Sequence, residues 1–476
     1  MHIKQVRNNL LTMKKIVYFA MALMLTNMSC VTKTEKTANV DTSCEVRLIT
    51  LDPGHFHASL VQKTSYPQVC NDVYVYAPEG DDLQEHLKRI EGYNTRTESP
   101  TAWNEIIYTG TDFLEKMQSE KKGNVMVTAG NNGKRTVYLK AALSAGLNIL
   151  SDKPMVINVE GFKALQECFD IARREGLLLY DIMTERFEIT TILQKEFSLI
   201  PGVYGEQQTG TPGDPGIVKE SVHHFLKTVS GSPLIRSAWF FDVEQQGTGI
   251  VDVTTHLVDL VQWECFPGQI IDYTKDIELI DANVWTTPIT LPDFQTVTGF
   301  SQFPDFLQKD VFDNILHVYS NGDITYKIKN VYAKVSVIWN YTYPEGGGDT
   351  HYSIMKGSKS HLIIEQGKEQ GYIPQLTIKA VQGSDLATFE NELNEALKTV
   401  SSKYPGISLT KREEGGWIVE VPEGYHNGHE AHFGQVTENF LHYLSEGVLP
   451  DWETPNMIAK YYTTTHALEM ALKKRP

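Results

Sequence analysis

From Val46 onward, short apolar runs alternate with segments whose apolar positions recur every three or four residues. Val46–Leu51, Asp72–Tyr76, Ile106–Tyr108, Asn124–Thr128, Leu147–Leu150 and Leu177–Tyr180 have the length and β-branched content of buried strands. Between them, His57–Lys63, Leu83–Ile90, Phe113–Ser119, Thr136–Ala145 and Gly161–Glu175 carry helical spacing. Strands alternating with helices of this length predict βαβ units with right-handed crossovers, hence a doubly wound parallel sheet. Past about residue 190 the pattern changes. Gly205–Gly216 is a polar Gly/Pro/Gln-rich loop. Leu234–Val243, Ile277–Thr287, Ile324–Ile328 and Lys334–Tyr343 then read as longer antiparallel strands. Tyr343–Asp349 reads as a turn or ligand-facing loop, and helices over Gly434–Glu446 and Pro455–Lys473 close the chain. The fold expected is α/β: an N-terminal Rossmann sheet, then an α+β domain with a large, mostly antiparallel sheet.

The first thirty residues follow a different rule. Met13-Lys14-Lys15 precedes an apolar run, Ile16 to Leu25, too short to span a bilayer but suited to a signal peptide. Ser29-Cys30 follows, then a polar tether. The pattern is similar to a bacterial lipoprotein site with Cys30 lipidated, which predicts a cell-envelope protein held to the membrane by a lipid anchor alone. The expected division is residues 1–30 as leader, 31–45 as tether, 46–185 as cofactor domain and 186–476 as substrate and oligomerisation domain. Composition changes little in this picture: 41% hydrophobic and 21% charged residues are ordinary, and a formal charge of −16 argues against a nucleic-acid partner. The cysteines Cys44, Cys70, Cys168 and Cys265 show no paired metal spacing and read as scattered buried thiols, although export would permit a disulfide.

Three motifs carry candidate chemistry. The first strand ends in Asp52-Pro53-Gly54-His55-Phe56-His57, where a dinucleotide fold places glycines against a pyrophosphate. Only Gly54 keeps a glycine position; Asp52 and His57 stand where the others would be. His55 and His57 suggest a metal pair, but without a third ligand nearby no metal is expected. The second motif, Ser151-Asp152-Lys153-Pro154, puts a lysine at the carboxyl end of a parallel strand, where open α/β sheets bind ligands. The third is Asp252-x-x-x-His256-x-x-Asp259, read as one helix face on which Asp252 steadies the imidazole of a general base.

In order and spacing these pieces resemble the glucose–fructose oxidoreductase / inositol dehydrogenase (Gfo/Idh/MocA) family. Ala145-Gly-Leu-Asn-Ile-Leu-Ser-Asp-Lys153-Pro154 is similar to that family's strand ending in Glu-Lys-Pro, and Arg186-Phe187 to its next strand end. Asp252 and His256 match its Asp/His pair. The resemblance implies an NAD(P)-dependent oxidoreductase acting on a hydroxyl of a carbohydrate, with the cofactor tightly bound and the chain a homo-oligomer. Lys153, Asp252 and His256 would surround the reacting carbon, with His256 as base. Gly54, His55, Phe56 and His57 would line the cofactor on one side, Asn131, Asn132, Asp152 and Lys153 on the other, and Glu79 would meet the adenosine ribose. His224, Asp259 and His429 are candidate substrate contacts; a zinc site around His426, His429 and His432 is not expected. Departures from the family pattern are the missing glycines, Asp152 in place of Glu, and Arg135 where the family often has His. Two alternatives accompany this reading: a glycosidase or lyase with retained NAD that oxidises the sugar transiently, and an inactive sugar-binding lipoprotein.

Overall fold

The computed structural model describes residues 44–229, 232–412 and 416–474, so the leader, Cys30 and most of the tether lie outside the described residues. The first sheet contains β1 (Leu48–Leu51), β2 (Asp72–Tyr76), β3 (Asn104–Tyr108), β4 (Val125–Thr128), β5 (Asn148–Ser151) and β6 (Leu179–Asp181). All are parallel, in the order β3-β2-β1-β4-β5-β6. Every residue of β1 and β4 is buried, as expected for strands covered on both faces. The order reverses between β1 and β4, which opens a crevice at their carboxyl ends.

The helices of this half are α1 (His57–Leu60), α2 (Asp81–Thr95), α3 (Phe113–Glu120), α4 (Arg135–Ser144) and α5 (Val159–Glu175). In α5, Asn158 caps the start by accepting from the Gly161 amide, and Gly176 ends it in the left-handed conformation. Its face of Phe162, Leu165, Phe169 and Ala172 packs on the sheet. Helix α1 stops after one turn, well short of the expected Lys63.

The second sheet has ten strands and begins with β7 (Ile217–His224). Beside β7 lie Val331–Asn340, paired parallel to it, and Thr350–Lys356, paired antiparallel. The remaining pairings are antiparallel and include the long hairpin Ile315–Ile328/Val331–Asn340. Helices α6 (Ile189–Ser198), α7 (Thr254–Cys265) and α8 (Leu386–Lys403) cover it. The closing helices α9 (His429–Glu446) and α10 (Glu453–Lys473) return to the first sheet. Phe433, Val436 and Phe440 of α9, with Met457 and Tyr461 of α10, join its core, while Ala459, Ala467 and Leu468 of α10 join the core of the second.

Two expectations fail here. Leu234–Val243 forms no sheet strand; it is an extended stretch ending in a 3-10 turn over Ala238–Phe241, because its aromatic residues pack into a satellite core with Phe225 and Phe294. Cys44 and Cys70 are not free thiols but form a disulfide that ties the entry of β1 to the approach of β2. Their separation of 26 residues hid a proximity that the β1–β2 pairing creates.

Candidate active site

The site is built where the carboxyl ends of β1, β4 and β5 meet α7 and α9. A cavity of about 690 Å³ opens there, walled by His55, Phe56, Asn132, Asp152, Lys153 and Asp252, among others. Lys153, two residues past the end of β5, donates to Asp252 Oδ1 at 2.6 Å, with both side chains about nine-tenths buried. Asp252 lies in the turns leading into α7, not on the helix, and its partner is Lys153 rather than His256. His256, in the first turn of α7, keeps a buried Nδ1 without a hydrogen-bond partner. Burial first, then the neighbouring Lys153 charge, hold this imidazole well below the usual histidine range, so it is neutral near pH 7.

The opposite wall comes from the second sheet. Asp349, at the end of the Tyr343–Asp349 loop, accepts from Lys227 and is bracketed by His223 Nδ1 at 3.2 Å and His224 Nδ1 at 3.0 Å. Burial alone would raise this carboxyl, but the His223 hydrogen bond and the Lys227 charge hold it far below its ordinary range. Arg236 donates to the Phe225 carbonyl at 3.1 Å and lies over the rings of Phe240 and Trp339. Burial lowers its guanidinium to about 10. Glu185, just before Arg186, also faces the cavity; burial and the adjacent Glu188 push it up to about 7, in reach of a proton-transfer role at neutral pH. Glu185, Arg236 and Asp349 carry no motif signal of their own, whereas His223 belongs to the polar Ser221–Lys227 cluster that also holds the expected contact His224. The Arg186-Phe187 strand ending adjoins Glu185, and the Tyr343–Asp349 loop ends on Asp349.

The other expected residues separate into two groups. His55, Phe56, His57, Asn132, Asp152 and His429 line the cavity with Lys153, Asp252 and His256. Asp259 does not: it is fully buried behind α7, pairing with Arg186 at 2.7 Å and Lys460 at 2.9 Å, so it is no substrate contact. His224 turns away into its Asp349 bond, leaving His223 as the histidine that faces the cavity. Asn131 caps the 3-10 turn before α4 and donates to Gln245, outside the cavity wall. Glu79 is exposed after β2, and the carboxylate that faces the first turn is instead Asp82.

The first strand–helix turn keeps a dinucleotide-fold backbone with altered residues. Asp52 takes φ +46°, the left-handed conformation that glycine prefers, and is held there by a 2.6 Å bond from Tyr138. Gly130, after β4, approaches so closely that a Cβ would lie 2.6 Å from the Asp52 carbonyl. The amides of Gly54 and His55 both donate to the Ala129 carbonyl. A Cβ on Gly54 would meet Asp82 Oδ2 at 3.1 Å and the Trp239 ring at 3.2 Å. Asp82 in turn accepts from Ser237 and, at 2.9 Å, from the Trp239 indole. Gly130, Asn132, Asp152 and Lys153 line the crevice where a dinucleotide fold would hold its nicotinamide end, and the Ser237–Trp239 segment sits on Asp82 beside Gly54.

Residues 193–472 match the protein family described as "Putative oxidoreductase C terminal domain". No curated protein matches the chain. Among solved structures, a "putative oxidoreductase" from Parabacteroides merdae is 67% identical, with 90% of this chain and 98% of that one aligned at a TM-score of 0.90. An oxidoreductase so described from Thermotoga maritima aligns over 90% and 99% of the two chains at 13% identity and TM-score 0.57. A levoglucosan dehydrogenase in complex with NADH and L-sorbose aligns over 90% and 97% at 12% identity and TM-score 0.57. The last two share the fold.

Proposed function

The chain belongs to the Gfo/Idh/MocA family of NAD(P)-dependent oxidoreductases, and we propose that it oxidises a hydroxyl of a sugar, polyol or glycoside in the cavity beside Lys153. The observation that carries this reading is the 2.6 Å Lys153–Asp252 pair lining the same cavity as the imidazole of His256, whose buried Nδ1 has no hydrogen-bond partner. Bound NAD or NADP would accept a hydride from the substrate carbon. His256, neutral and desolvated, takes the hydroxyl proton; Lys153, fixed by Asp252, donates to the oxygen that becomes the carbonyl. The substrate class rests on the cavity's lining of hydrogen-bonding groups, His223, Asp349 and Arg236 among them. The test is nicotinamide reduction at 340 nm across a panel of sugars and glycosides. His256→Ala should lower turnover by about 10²- to 10⁴-fold; a rate within twofold of the parent would remove the base.

A second reading, redox-neutral cleavage with the cofactor retained, is favoured by the Ser237–Trp239 segment seated on Asp82, since an obstructed crevice slows dinucleotide exchange. It also suits export. We place the protein in the cell envelope, tethered through Cys30, a reading supported by the Cys44–Cys70 disulfide, which persists in oxidising compartments. Cys30→Ala should release it from the membrane fraction; unchanged fractionation would overturn the anchor.

A further inference from the structure

Beyond the hydride chemistry, the geometry points to a divalent transition-metal site formed by His55, His57 and Asp152. The two histidines alternate along the turn after β1, and Asp152 arrives from the end of β5, 95 residues beyond His57. One donor atom from each lies within 4.8 Å of the other two. His57 Nδ1 is 3.0 Å and His55 Nδ1 3.9 Å from the same Asp152 oxygen. Nitrogen and oxygen ligands at about 2.0–2.1 Å around tetrahedral zinc stand roughly 3.3 Å apart, between those two separations.

Two features separate this cluster from an ordinary His–Asp hydrogen bond. Asp152 Oδ1 is buried and has no hydrogen-bond partner, a costly state for a carboxylate that metal coordination or a metal-bound water would relieve. His55 Nδ1 is held by a long 3.4 Å contact from the His57 amide, which a metal bond would replace. Lys153, the next residue after Asp152, is paired with Asp252 at 2.6 Å and takes no bond from Asp152. The three ligands lie on the cavity wall, with the His429 ring 5.3 Å from that of His57 on the open side. Three protein ligands with an open position is the arrangement of catalytic rather than structural metal centres. Two histidines and one carboxylate also suit iron(II) or manganese, so the class assigned is a divalent d-block ion.

Metal content tests this independently of any dehydrogenase activity. Full-length, tag-free protein is analysed by elemental mass spectrometry as isolated, then stripped with a chelator and titrated with Co²⁺, followed by visible absorption, and with Zn²⁺ by calorimetry. The expected result is one ion per chain and a saturable cobalt d–d spectrum, both lost in Asp152→Asn. His55→Ala, at a less buried position, should weaken Zn²⁺ by more than the ~10- to 100-fold typical of outer partners. Circular dichroism shows whether each variant folds, and the exposed His442→Ala serves as control. Substoichiometric metal with no cobalt spectrum, or binding that folded Asp152→Asn and His55→Ala leave unchanged, would overturn the site and leave His57–Asp152 a plain hydrogen bond.

Discussion

At the scale of single residues, the chemistry rests on which partner each charged group finds. Asp252 is spaced to serve His256 but bonds Lys153, a charge-assisted contact that removal of one partner typically costs about 1.5–3 kcal/mol. Asp252→Asn should therefore slow turnover by roughly 10- to 150-fold if that contact acts in the transition state. The pH dependence set by His256 should keep its position, because the charges that bear on His256 are those of Lys153, Asp259, His429 and Lys460. A displaced pH profile would return Asp252 to the imidazole. The buried histidines also make stability pH-dependent. Burial lowers His432 to about 4 and holds His57 and His256 well below their usual range. In the unfolded chain these groups take up protons near pH 6.5, while the fold refuses them until far lower. The unfolded state thus binds more protons across that window, so stability falls as pH drops from about 6.5 to 4, by up to about 1.4 kcal/mol per unit for each such histidine. Denaturant midpoints that stay flat over that range would contradict this.

At the scale of elements, the segment beside the first strand–helix turn is the one whose conformation departs furthest from its local pattern. Ser237 and Trp239 sit on Asp82, against the first turn, in a stretch whose sequence predicts a strand. Periodicity over Leu234–Val243 resembles that of a half-buried strand, yet Phe240 and Phe241 are buried in the satellite core through a 3-10 turn. Trp239→Ala should open the adenosine end. The expected outcome is faster cofactor exchange, by about tenfold for each 1.4 kcal/mol of lost obstruction, measured by stopped-flow displacement of bound nicotinamide. An unchanged off-rate would show that the segment does not gate the crevice. The truncated α1 has the same origin: after Leu60 the chain turns to pack Tyr66 and Val69 into the first core and to reach Cys70, which the disulfide holds beside Cys44.

At the scale of the whole molecule, a buried ionic network binds the closing helix to both halves. Lys460 of α10 pairs with Asp181 at 2.8 Å and with Asp259 at 2.9 Å, and Arg186 joins Asp259 to Glu453. Tyr461 adds a 2.7 Å bond to Asp181. Such networks stabilise little compared with an apolar replacement of the whole set, but losing one member strands the others in a low dielectric. Lys460→Met should cost about 3–5 kcal/mol, read as a lower denaturant midpoint. A cost below 1 kcal/mol would mean that the remaining arginine alone neutralises the carboxylates.

What the sequence determined alone is what depends on near neighbours along the chain. Period-2 and period-3.6 patterns placed the six parallel strands, four of the five helices between them and the two closing helices, because an element's buried face is written in its own residues. The same local logic put Lys153 at a strand end and Gly54 at a tight turn. The tertiary structure decided the partners. Asp152 meets His57 across 95 residues, and Lys153 meets Asp252 across 99. Asp259, on the expected helix face, is drawn instead into Arg186 and Lys460. Helix spacing fixes only which way a side chain leaves its own axis. The group it finds there is set by the strand order and by α9 and α10 folding back on the first sheet, and no local pattern of apolar and polar residues encodes that closure.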